Sequence, residues 1–185
     1  MRKQPTKYSI RRLVLPNGER LPVLRERATG EPVYEPALYA SVYLRSKNAA
    51  ALTIEQALRS VMVLLLTLEA LSIDLTARLH RGLFLELREV DAVVSACKLR
   101  LHELQSEGEE IKEWPVRLIR LESFRSAAKR PALKEVNTQT AAIRLFYTRD
   151  YLKWRAQHAL LNFDLDNDTY ARLEKTVREI GRAHV

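Results

Sequence analysis

The sequence predicts a mainly α-helical fold, a small helical bundle preceded by a β-hairpin extension, and three observations carry that expectation. Apolar residues recur at helical spacing through residues 53–71, 87–104, 139–161 and 169–180. Two β-prone arms within residues 8–27 flank a Pro16-Asn17-Gly18 turn. The length of 185 residues, with 46% hydrophobic content, is enough for one packed core plus an appendage, or for two small domains. The expected organisation is a basic hairpin extension over 1–45, a helical domain over 46–165 and a terminal helix or linker over 166–185.

Taken in order, YSIRRLVL and ERLPVLRER form the arms of the hairpin, joined through Asn17-Gly18, a pair preferred where both turn residues need positive φ. Pro22, which has no N–H to donate, confines the second arm to an edge. A two-stranded hairpin is marginal alone, so it must dock on the next domain or on a ligand. A second turn at Ala28–Pro32 leads to residues 33–45, where Tyr34, Tyr39 and Tyr43 fit a short helix or a strand equally well. Thr53-Ile54-Glu55-Gln56 has the pattern of a capping box. It opens a central helix whose inward positions are Ile54, Ala57, Leu58, Val61, Leu64, Leu65 and Leu68, widened by Met62, Val63 and Leu66. Asp74 can cap a short helix that stops at Gly82. The next helix is expected from about Leu87 to Leu104, with Val90, Val93, Val94, Cys97, Leu101 and Leu104 inward. Residues 105–138 read as irregular, with VRLIRL a candidate short strand. Helices over 139–161 and Thr169–Ile180 complete the chain, the last ending at Gly181.

Charge is unevenly placed. Of the net +8, residues 1–27 contribute +6 (eight Lys/Arg against Glu19 and Glu26) and residues 125–155 another +6 (eight against Glu135 and Asp150). The remainder is therefore −4, an acidic body bearing two basic segments that suit a polyanion partner. The lone Cys97 excludes an internal disulfide framework and fits a reducing, cytoplasmic setting as a small buried hydrophobe. The longest strongly apolar run, Val61–Leu66, falls short of the roughly 20 residues of a membrane span, and the basic N-terminus lacks a secretory apolar region. His80, His102, His158 and His184 stand apart without metal-ligand spacing, so neither metal nor other cofactor is expected. Glycines are scattered singly, with no phosphate loop. Asp164, Asp166 and Asp168 lack the Gly and Glu that a calcium loop needs, and read as a solvated linker capping the last helix. Nothing has the make-up of an active site.

Gln139–Arg155 carries the sharpest functional signal. At about 100° per residue, Ile143, Tyr147, Tyr151, Trp154 and Leu161 fall on one face, with Arg144, Thr148 and Arg155 on the adjacent flank. A packed aromatic face beside an outward basic stripe suits a helix that stands on a core and enters a DNA groove. The plainer alternative is an amphipathic helix with solvated arginines. On the DNA reading, Arg144, Thr148 and Arg155 are the DNA-facing side chains, while Tyr147 and Trp154 are structural.

The order of motifs resembles the N-terminal half of tyrosine recombinases, the phage-type integrases. The matching pieces are Leu52–Leu71, Ile73-Asp74-Leu75, Arg81–Ala92, and Thr140-Ala141-Ala142-Ile143-Arg144-Leu145 through Tyr151-Leu152-Lys153-Trp154, spanning about residues 37–165. The resemblance implies a SAM-like core-binding domain that clamps duplex DNA, with the Thr140–Arg155 helix as the reader (Arg149, Lys153 and Thr140 joining Arg144, Thr148 and Arg155) and Arg125, Lys129, Arg130 and Lys134 as a phosphate-contacting linker. It also implies neighbouring recombinase protomers as partners in a tetramer on DNA. The family's H-x-x-R motif and late nucleophilic tyrosine context are missing, so this stretch is expected to be a fragment that does not cut DNA by itself. Two alternatives stay open: a stand-alone nucleic-acid-binding adaptor, and a protein–protein interaction module that docks through the Thr53–Leu71 helix.

Overall fold

A computed structural model describes residues 7–101, 104 and 134–182, with side chains through Arg178. Strands β1 (Tyr8–Val14) and β2 (Arg20–Glu26) pair antiparallel, in a register running from Tyr8 opposite Glu26 to Val14 opposite Arg20. The turn differs from the expected one. Leu15 N–H donates to Glu19 O (2.8 Å), Gly18 N–H donates to Leu15 O (2.8 Å), and of Asn17 and Gly18 only Gly18 takes positive φ, at 79°. This is a three-residue loop: Pro16 and Asn17 make the bend and Gly18 supplies the left-handed step. The extra residue follows from Pro16, whose fixed φ suits the first corner of such a bend.

Residues directly opposite in a hairpin point to the same side, so Tyr8, Ile10 and Arg12 share a face with Pro22 and Leu24. That face lies along α2 (Ala51–Ala70). Lys7 pairs with Glu69 near one end of α2 (2.5 Å) and Arg12 with Glu55 near the other (2.5 Å). Tyr8 and Leu24 belong to the same apolar core as the helices. The docking expected of the hairpin is therefore met within the chain.

Residues 33–45 resolve as helix: α1 (Tyr34–Leu38) runs into a π-helical stretch, Tyr39–Leu44. The wider π turn seats Tyr39, fully buried, against Tyr151 and Trp154, with ring centroids 5.1 and 5.3 Å away. Tyr39 and Tyr43 both donate their O–H to Asp150, at 2.7 and 3.1 Å. Burial first, and then the hydrogen bond to Asp150, push the Tyr39 phenol far up.

α2 begins earlier than its presumed capping box. Its N-cap is Ala50, without a side-chain cap, and Thr53 sits inside the first turn. Glu55 points sideways into ion pairs rather than back to the backbone. Of the inward set, Ile54, Ala57, Leu58, Val61, Met62, Val63, Leu64 and Leu68 are buried, while Leu65 and Leu66 are only partly buried against the core. Thr67 joins them by donating its hydroxyl to Val63 O (2.9 Å). By length and composition alone α2 could cross a membrane, having 20 residues and a mean hydropathy of 1.5, a span that the Val61–Leu66 run by itself does not reveal. Here it is the central helix, covered by β2, α4 (Leu87–Lys98) and α5 (Thr138–Asn162).

The remaining helices follow local signals. Asp74 accepts from Ala77 N–H (2.9 Å) and caps α3 (Leu75–His80), which ends before Gly82 at φ 67°. Arg78 grips Glu89 with two nitrogens (2.5 and 2.8 Å), and Glu89 also completes a capping box with Glu86 at the start of α4. α4 stops at Lys98, short of the expected Leu104, because the chain turns extended at Leu99 to pair with Glu135. Arg100 N–H donates to Lys134 O (2.9 Å) and Val136 N–H to Lys98 O (2.8 Å). The VRLIRL candidate strand lies outside the described residues. Asn137 caps α5, and Asp166 caps α6 (Asn167–Arg182) by accepting from Thr169 N–H (2.8 Å). That bond holds the Asp166 carboxyl below its usual range. α6 continues through Gly181 rather than stopping there.

Candidate nucleic-acid interface

α5 touches α2, α3, α4 and α6, so its buried arc is wider than a single amphipathic face. That overturns the outward basic flank. Thr148 is 3% exposed, with its hydroxyl 3.8 Å from the buried Cys97 thiol, whose pKa burial raises. Arg155 is 2% exposed, pairs with Glu35 and donates to Thr76 Oγ1 (2.8 Å), tying α5 to α1 and α3. Neither is free to meet DNA. Leu161, assigned to the buried face, is 83% exposed, whereas Tyr151 and Trp154 are buried as expected. Tyr147 is half-buried against the core.

The other reader residues divide as follows. Arg144 is half-buried, with its guanidinium donating to Leu99 O (2.6 Å) and Cys97 O (3.4 Å) at the end of α4. A cation there meets the negative end of the helix, while desolvation lowers its pKa. Arg149 and Lys153, one turn apart, are partly buried on a different flank, Arg149 with its Nε buried, and the exposed Phe146 stands beside them. Thr140 is half-buried in the first turn of α5, and Lys134 is exposed. Arg125, Lys129 and Arg130 lie outside the described residues.

A different basic feature is assembled by the fold. A groove of about 460 Å³ runs between the hairpin and α2 and is lined by Arg11, Arg25, Arg27, Arg59 and Arg144, with Glu55 the only carboxylate among the described residues. Tyr8, Ile10, Met62 and Leu101 supply its apolar wall. Each contribution has a local cause. Glu55, Arg59 and Met62 are four and three residues apart, so α2 presents them on one face. Arg25 stands across the ladder from Ser9 and donates to its hydroxyl (3.2 Å). Arg144 enters from α5 because its stem is drawn toward the carbonyls after α4.

Five arginines and one glutamate among the described residues border the groove and make its surroundings cationic, and guanidinium forks match phosphate oxygens. Its side chains include no nucleophile beside a base, and among the described residues no cluster of three metal-ligating groups occurs. The arrangement can hold anions. Sequence reading noticed the excess charge of residues 1–27 but not Arg59, which lies in an apolar helix; its i+4 spacing from Glu55 was the available signal. No family model, curated protein or solved structure matches the chain.

Proposed function

We propose that this chain binds duplex DNA through the arginine groove between the hairpin and α2, as the DNA-gripping N-terminal part of a site-specific tyrosine recombinase. The observation that carries the binding is the convergence of Arg11, Arg25, Arg27, Arg59 and Arg144 on one groove. The recombinase assignment rests on the order of motifs from Leu52 to Trp154. Arginine forks along a groove fit phosphates better than base edges, so the groove positions the duplex rather than reading its sequence. Arg149 and Lys153 are the cations of α5 left to address a second stretch of backbone. The interaction-module alternative loses its basis, because the apolar face of α2 that would dock on a partner is the core of the fold.

Fluorescence anisotropy on a labelled duplex tests the proposal. Affinity should be micromolar or weaker and fall roughly as the fourth or fifth power of salt concentration, as for about five phosphate contacts. Arg11→Glu should weaken binding about tenfold at low salt and flatten the log–log slope by about one. A response indifferent to salt, or an R11E variant that binds like the parent, would remove the groove from consideration.

A further inference from the structure

We infer that Glu55 is a built-in counter-ion of the arginine groove, holding two guanidiniums against weak anions and yielding them only to a ligand that offers several phosphates together. The inference rests on the groove being the DNA-binding site and names the residue that sets what the groove accepts.

Glu55 stands in the first turns of α2, the apolar helix that organises the core, at a depth unusual for an unpaired carboxylate. Its side chain is only 11% exposed, whereas the Arg12 and Arg59 side chains above it are 44% and 63% exposed. Both carboxylate oxygens are occupied. Oε2 accepts from Arg12 Nε (2.7 Å) and Nη2 (2.5 Å), and Oε1 from Arg59 Nη2 (2.5 Å). The carboxylate therefore lies beneath two guanidiniums, with their outer edges turned to solvent.

Each guanidinium has five donors, so neither is exhausted by these bonds, but the field it projects is reduced by the charge under it. A single phosphate arriving at Arg12 or Arg59 meets a half-neutralised cation and gains little. A phosphodiester backbone laid along the groove meets Arg59 with Arg11, Arg25 and Arg27, as well as Arg12, which reaches Glu55 from beside the groove, and the summed attraction exceeds the repulsion from one carboxylate. Glu55 accordingly favours a repeating polyanion over isolated phosphate or carboxylate. It also keeps the two arginines oriented in the free protein, which lowers the entropy lost when they bind.

The test is removal of the charge without loss of length. Glu55→Gln should bind a labelled duplex about three- to tenfold more tightly than the parent at low salt, since one repulsive charge within a few ångströms is gone. The log–log salt slope should stay close to the parent's, because the duplex meets the same arginines in both. Glu55→Asp retains the charge and should stay within about twofold of the parent, which separates charge from altered packing. Glu55→Met is the second neutral variant, and a thermal melt accompanies each titration. If the neutral variants bind no more tightly while Arg11→Glu still weakens binding, the counter-ion role is wrong and the groove stands. If Arg11→Glu has no effect in either background, the groove reading itself falls. Failure of both neutral variants to fold would show Glu55 to be structural and likewise overturn the inference.

Discussion

At the residue scale, Arg155 shows how far a side chain's role depends on what surrounds it. As a letter in a basic run it reads as a DNA contact. In the fold it is a buried cation paired with Glu35 and bonded to Thr76. Removing one partner of a buried pair strands the other's charge, so Arg155→Ala should lose about 3–5 kcal/mol of stability in a urea titration. Its DNA affinity, measured well below the new melting temperature, should be unchanged. A variant as stable as the parent would put Arg155 back on the surface. Thr148 follows the same logic on a smaller scale, its hydroxyl buried beside Cys97 rather than offered to phosphate. In the groove the relation is reversed: Arg59, unremarked in an apolar helix, is 63% exposed at its side chain and lines the basic surface.

At the scale of elements, most boundaries were legible because their causes are local. Asp74, Gly82 and Asp166 act as the caps and stop their positions suggest, and Gly18 and Gly30 turn the hairpin and the return after it. The misplaced boundaries have tertiary causes. α4 ends at Lys98 because residues 98–100 pair with 134–136, a contact across more than thirty residues that no helix pattern contains. Gly82 does more than end α3. At φ 67°, a Cβ there would lie 2.9 Å from Thr169 Cγ2 and 3.1 Å from Thr169 Cα, so it is also where α3 meets α6. Gly82→Ala combines left-handed strain with a clash against backbone. Chemical denaturation should show a loss of at least about 1–2 kcal/mol. Hydrogen exchange should show the largest loss of protection in α6. Unchanged protection there would mean that the α3–α6 junction does not depend on the missing side chain.

For the whole molecule, the hairpin and the helices form one core rather than an extension resting on a finished domain. Tyr8 and Leu24 sit in the same apolar cluster as Leu58, Val61 and Trp154, and ion pairs at Lys7 and Arg12 pin the hairpin near both ends of α2. Leu24 is fully buried, so Leu24→Ala should destabilise by about 2–5 kcal/mol. Because the core is shared, the loss should appear as a downward shift of the single helical transition followed by far-ultraviolet circular dichroism. A helical transition left in place by this hairpin mutation would show the two parts to fold independently. The shared core also explains why the groove exists: it lies along the seam where the hairpin meets α2, and Arg144 reaches it from α5.

What the sequence determined by itself was the hairpin, the central apolar helix and the two basic segments, since periodicity, turn residues and charge are readable over a few neighbours, though not the helical state of residues 33–45. It also determined the spacing of residues around α5. It did not determine how many sides of α5 are covered, because helical periodicity fixes the angle between side chains but not the number of neighbours packed around them. With four elements against it, α5 buried the arginine that looked most functional. Tertiary structure alone brought together the groove, whose arginines run from Arg11 to Arg144 along the chain. A surface built from separate elements leaves no pattern at any one place in the sequence. Its cations become one site only when the core fixes their distances.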